Sequence, residues 1–226
     1  MTNVRLEDLG NATTLGSLRE SRWSGELRAF EGFDPCIIRS IDTDVDVPGC
    51  IKTGDGPYVI QINGSLKTKD HLHLWTEDYF PGLIIVRGDL HARTLSFGNG
   101  ARIFVEGSVL VEDCLFGQYG DHNAVLSATG ELQARAVFLA HGARVYADRG
   151  VRALVYAPRG SWESLTPDIE NEGIGDGVAS FDPSVLDRYG DLHFRQAEES
   201  ARAGKPLFLP GVEERFPQRL SSRKTD

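Results

Sequence analysis

One phrase recurs through the middle of this chain and limits its fold more than any other feature. It reads Val59-Ile-Gln-Ile-Asn-Gly64-Ser-Leu-Lys, then Ile84-Ile-Val-Arg-Gly88-Asp-Leu-His-Ala, Ile103-Phe-Val-Glu-Gly107-Ser-Val-Leu-Val and Leu126-Ser-Ala-Thr-Gly130-Glu-Leu-Gln-Ala. Apolar residues alternate with others on both sides of each glycine, and the glycines are separated by 24, 19 and 23 residues. A blurred fifth copy surrounds Gly150, 20 residues further on. A fixed period of about 20 residues with strand-like alternation is the mark of stacked β coils.

Within a copy the apolar positions fall in pairs before the glycine, after it, and again a few residues on. The second copy has Ile84, Val86, Leu90, Ala92, Leu95 and Phe97 there. The third has Ile103, Val105, Val109, Val111, Cys114 and Phe116, and the fourth Leu126, Ala128, Leu132, Ala134, Val137 and Leu139. The first copy slips late, to Leu72 and Leu74, and the last shifts to Val145, Ala147, Val151, Ala153 and Val155, as terminal repeats commonly do. A spacing of two puts the apolar side chains of each short strand on one face, pointing inward. Glycine falls at a corner, where it supplies either a positive φ or a tight backbone approach. The chain therefore reads as all-β, a parallel β-helix with three short strands and about 20 residues per coil, rising about 4.8 Å per coil.

The solenoid spans 57–160. Residues 1–56 lie outside the repeat and read as an N-terminal capping segment, because an open coil stack leaves a bare backbone edge at each end. Residues 161–226 read as a C-terminal loop and helical cap. Asn171-Glu-Gly-Ile-Gly-Asp-Gly is a loop. Asp182 as N-cap and Pro183 at the first helical position open a helix that continues, with a break at Gly190, to Gly204. This helical region is expected to cap the end of the solenoid or to pack along its side, and the tail from Ser221 is expected to fray.

With 33 acidic against 24 basic side chains the formal charge is −9. That argues against nucleic acid as a direct ligand, which needs a Lys/Arg surface. It serves plain solubility as readily as a basic protein partner. No stretch approaches the ~18 apolar residues of a membrane span, and the start lacks the charged-then-apolar pattern of a signal, so the chain reads as cytoplasmic with no membrane contact. Cys36, Cys50 and Cys114 are odd in number and without metal-type spacing, so no disulfide framework is implied. Cys114 stands at an apolar position of the repeat and reads as a small buried hydrophobe.

Two coils are longer than the rest, and the excess follows the third strand in each. One insertion is Trp75-Thr-Glu-Asp-Tyr-Phe-Pro-Gly82, the other Gly117-Gln-Tyr-Gly-Asp-His-Asn123. With one coil between them they should emerge at the same corner, roughly 10 Å apart. Trp75, Glu77, Asp78, Tyr79 and Phe80, with Tyr119, Asp121 and His122, combine aromatic anchors with charge, a composition typical of protein interfaces. The plainer reading folds Trp75 and Phe80 inward over the solenoid side and leaves Glu77 and Asp78 as solvated loop residues.

His71 and His73 share one strand face, a spacing that can supply two metal ligands. The register that turns Leu72 and Leu74 inward turns both histidines outward, and His91 is the only other histidine near in sequence, so they read as solvated or structural. His122 beside Asp121 could form an acid/base pair on the same terms; His141 and His193 are isolated. There is no nucleophile elbow, phosphate loop or dinucleotide fingerprint. Asp89, Glu106, Glu112, Asp113 and Glu131 face outward in different columns, as a solvated sheet face predicts. No catalytic, metal or cofactor residue is assigned.

The phrase Leu83-Ile-Ile-Val-Arg-Gly-Asp-Leu-His-Ala-Arg-Thr-Leu, the Gly107-Ser-Val-Leu-Val-Glu-Asp copy and the ending Ala203-Gly-Lys-Pro-Leu-Phe resemble a bacterial family of single β-helix proteins, the polymer-forming or bactofilin-like group. The resemblance covers roughly residues 57–210. It implies a right-handed coil and, since many such proteins accompany secreted or contact-dependent toxins, a role as a cognate immunity protein. The expected function is a non-catalytic protein that binds a basic toxin and occludes its active site, with a flat face that would also allow a homodimer. The alternatives are a self-assembling scaffold, which long segments at both ends of the solenoid should block, and a metal-dependent enzyme using His71 and His73.

Overall fold

Strands with an apolar residue at every second position stack in register on the coil before them. The computed structural model describes residues 3–18, 23–119, 124–156 and 180–212, and the chain is a parallel β-solenoid of about five turns with ~21 residues per coil. Two short strands come first, β1 (Asn3–Arg5) and β2 (Asn11–Ala12). Three coils of three strands follow: β3 (Ile37–Ile41), β4 (Val45–Val47) and β5 (Cys50–Lys52); β6 (Tyr58–Ile62), β7 (Leu66–Thr68) and β8 (His71–Leu74); β9 (Gly82–Val86), β10 (Leu90–Ala92) and β11 (Thr94–Gly98). In the later coils the second and third strands fuse: β12 (Ala101–Val105) with β13 (Val109–Gln118), β14 (Val125–Ala128) with β15 (Leu132–Leu139), and β16 (Arg144–Ala147) with β17 (Val151–Tyr156).

The first strand of every coil joins one parallel sheet, in which Ile62, Val86, Val105, Ala128 and Ala147 follow one another in register. The other strands form the remaining faces, joined into one sheet by the long β13 and β15. Inside runs one continuous apolar column from Leu6 through Ile60, Leu66, Val86, Leu95, Ile103 and Leu126 to Val155.

The repeated glycines form a stack of their own. Gly88 N donates to Gly64 O at 2.9 Å, Gly107 N to Gly88 O at 3.1 Å, and Gly130 N to Gly107 O at 2.9 Å. None of these four has a positive φ. Close approach is their reason: a Cβ on Gly107 would lie 2.7 Å from Gly88 O, and one on Gly130 2.7 Å from Gly107 O. The next residue locks each corner to its neighbour, Asp44 Oδ1 accepting from Ser65 N at 2.7 Å and Asp89 Oδ1 from Ser108 N at 2.8 Å. Asp89 is thus part of the corner, not a free surface acid.

Each glycine clears the coil before it. The coil of β3, β4 and β5 has no full coil before it and carries no corner glycine, so the three-strand coils begin at Ile37, within the segment that the repeat alone marks as a cap. Only the earlier residues edge the stack: β2 runs antiparallel along β3, and β1 pairs with β5. Gly150 belongs to a different structure. It has φ +98°, nothing near its missing Cβ, and a turn bond to Ala147 O, while Arg149 N takes the bond to Gly130 O.

Two further expectations are corrected. The register shifts between Val111 and Cys114, which turns Leu115 inward and sends Cys114 and Phe116 out. Cys114 is buried, but in a second apolar cluster on the outside of the third face, with Phe116, Ala136 and Phe138. Residues of the C-terminal segment cover that cluster: Phe181, Val185, Leu192, Ala197, Ala201, Leu207 and Phe208. Within it Asp182 caps a single 3-10 turn, Pro183–Val185, and the α-helix α1 (Phe194–Arg202) starts later, its His193 Nδ1 accepting from Gln196 N. The segment packs along the side of the solenoid. The Asn171 loop and the Ser221 tail lie outside the described residues. A third cluster packs Trp23, Leu27 and Phe30 on the outside of the first face, with Trp23 stacked 5.1 Å from Phe104.

Candidate functional site

The third face presents an outward column along β8 and just beyond it: His71, His73 and Trp75. On the neighbouring strand, Thr94 lies beside His71 and Ser96 beside His73. The indole of Trp75 rests over Gly98, where a side chain would collide with it. It stacks on His73 with ring centroids 5.4 Å apart and planes 3° from parallel. Trp75 therefore lies against the solenoid side, as the plainer reading of the sequence has it.

The two long insertions do meet. Tyr119 stands edge-on to Trp75 at 6.0 Å and stacks on His141 at 5.2 Å. Past Trp75 the chain leaves the coil as an ordered loop: Glu77 N donates to Asp55 O, Asn99 Nδ2 to Thr76 O and Gly100 N to the Thr76 hydroxyl. That loop exposes Glu77, Asp78, Phe80 and above all Tyr79, whose side of the backbone turns left-handed at φ 69° and which is 82% exposed. Between it and the end of the first coil lies a cleft of about 350 Å³, bordered by Asp55, Glu77 and Asp78 on its acidic side and by His73 and Trp75 on its aromatic side. Asp121 and His122 lie outside the described residues.

The histidines face outward, as the register of Leu72 and Leu74 requires. His71 does point out of the coil, yet it is buried, because α1 lies on it. Glu198 of α1 brings Oε1 to 3.2 Å from His71 Nε2 and 3.7 Å from His73 Nδ1. The nearby histidine, His91, pairs instead with Glu112 at 2.9 Å on another face. His71 Nδ1 meets the Thr94 hydroxyl at 2.8 Å, and the Ser96 hydroxyl lies 2.7 Å from His73 Nδ1 and 3.1 Å from His71 Nε2. Burial pushes the His71 imidazole below its ordinary pKa, against the hydrogen bond and charge of Glu198; Arg202 and His73 push it further down. Burial raises the Glu198 carboxyl, but hydrogen bonds from His71 and His73 and their charge outweigh that and hold it below the usual carboxylate range.

Glu198 carries no signal in the sequence that ties it to His71. The only hint is its place on α1 beside Ala197, which with Ala201 forms the buried stripe of the helix. Comparison with protein-family models, with curated proteins and with solved structures found no match. Among the described residues no helix is long and apolar enough to cross a membrane.

Proposed function

We propose that this chain is a non-catalytic binding protein that neutralises a basic cognate toxin by covering its active site. One observation carries the reading: Trp75 lines one cleft with Asp55, Glu77 and Asp78, Tyr119 stands edge-on to Trp75, and Tyr79 and Phe80 are exposed on the same loop as Glu77 and Asp78. Aromatic rings held by their own neighbours lose little freedom on binding, and acidic groups beside them favour a cationic partner. The net charge of −9 draws such a partner in at long range. The immunity role itself rests on the sequence resemblance.

The test is recovery of a partner on tagged protein from its own host. A single stoichiometric protein, toxic when expressed alone and silenced by this chain, is the expected result. Recovery of the chain alone would move weight to a scaffold. In the complex, Trp75→Ala and Asp78→Lys should each weaken binding by about 2 kcal/mol, the scale of an interface hot spot. Unchanged affinity for both would take this corner out of the account.

A further inference from the structure

The cluster beneath α1 has a chemistry that the binding corner does not use. His71, His73 and Glu198 converge, each offering one ligand atom, with all three atoms within 4.8 Å of one another. We propose that His71 Nε2, His73 Nδ1 and Glu198 Oε1 bind one divalent transition-metal ion, zinc by donor type, with water from the adjoining cleft as the fourth ligand.

The geometry suits it. Four ligands at zinc–nitrogen and zinc–oxygen lengths around a tetrahedral ion stand about 3.3 Å apart. The oxygen lies 3.2 and 3.7 Å from the two nitrogens and all three ligand atoms lie within 4.8 Å of one another, so side-chain rotation within the cluster can close the set around an ion. Two imidazoles and one carboxylate with a position left open is a donor set that zinc and related ions take. The rings are also oriented. Thr94 holds the far nitrogen of His71, as outer partners do around bound metals, and Trp75 stacks flat on His73. His73 lines the cleft, which gives the fourth ligand access to solvent.

Hydrogen bonds hold the cluster together, with Ser96 Oγ within reach of both His71 Nε2 and His73 Nδ1. Glu198 is 12% exposed and His71 1%, so water serves them poorly. A cation engages both nitrogens and the carboxylate at once. It also ties α1 to β8, joining residues far apart in the chain, so its binding should stabilise the fold.

Cobalt titration of the metal-stripped full chain reads the site directly. One equivalent of Co²⁺ should develop visible absorption bands that Zn²⁺ abolishes, and Zn²⁺ should raise the melting temperature. His73→Ala and Glu198→Gln should each weaken uptake at least about tenfold, while His91→Ala leaves it unchanged. His73 is partly exposed and not part of the apolar core, so its variant should keep the far-UV spectrum of the fold even if Glu198→Gln does not. Folded wild-type chain that takes up neither ion overturns the proposal. So does uptake of unchanged affinity in His73→Ala, which would place the ion elsewhere, for instance on the cysteines.

Discussion

At Gly107 an added Cβ would stand 2.7 Å from a backbone oxygen of the coil before it, whereas at Gly150 it would meet open space. The two glycines are needed for opposite reasons, and substitution separates them. Gly107→Ala forces two hydrogen-bonded coils apart and should cost about 1–3 kcal/mol, as overpacking does. Gly150→Ala meets no atom but must hold φ +98°, which should cost about 1–2 kcal/mol. Asparagine inverts the order. It tolerates left-handed backbone, so Gly150→Asn should be milder than Gly150→Ala, while the larger side chain makes Gly107→Asn worse than Gly107→Ala. Thermal melts resolve this at roughly 3 °C per kcal/mol for a chain of this size. Equal effects of Asn and Ala at both sites would refute the distinction.

At the scale of elements, the third face is apolar on both sides in the coils of β13 and β15. Leu115, Val137 and Leu139 point into the solenoid, and Phe116 and Phe138 point out under the C-terminal segment. Phe138 stacks on Phe116 at 5.0 Å and on Phe208 at 6.0 Å. Phe138→Ala should cost about 3–5 kcal/mol, and the loss should be local: proteolysis and amide exchange should rise in residues 181–212 while the strands stay protected. Loss of protection throughout the solenoid would contradict separate clusters. The sequence makes the inner column legible, because alternation at two is all that an inward face requires. It hides the outer one. A run such as Leu115-Phe116 shows apolar character without parity, and the bulge after Val111 resets which residue points in. The first coil is hidden because a coil with no full coil before it needs no glycine. The Glu198 contact is hidden because nothing local in α1 records what the helix will cover. The aromatic corner is legible in part, since insertions at the same place one coil apart emerge side by side, and Trp75 and Tyr119 do touch.

For the whole molecule, each coil contacts only its neighbours, so behaviour at the ends decides whether chains stack on one another. A filament of solenoids needs two open edges that meet head to tail. Here β2 runs antiparallel on the outer edge of β3, and β1 occupies that of β5, while Leu6 enters the apolar column below the first coil. The segment is fastened by side chains as well: Glu7 accepts from Gly54 N, and Arg39 Nε donates to Glu7 O at 2.7 Å. On the β3 edge the antiparallel β2 is a poor template for another parallel coil, and on the β5 edge the short parallel β1 takes up the donors and acceptors that edge pairing would use. The full chain should therefore sediment without concentration-dependent growth beyond small oligomers of its 24.8 kDa mass. Deleting residues 1–12 bares the edges of β3 and β5 together with the apolar floor that Leu6 covers. The shortened chain, if it keeps the β spectrum of the parent, should form larger species as its concentration rises. Growth by the intact chain would mean that β1 and β2 do not close the stack, and the scaffold reading would gain over toxin binding. A shortened chain that stays as small as its parent would show that the N-terminal strands stabilise the first coil without guarding its edge.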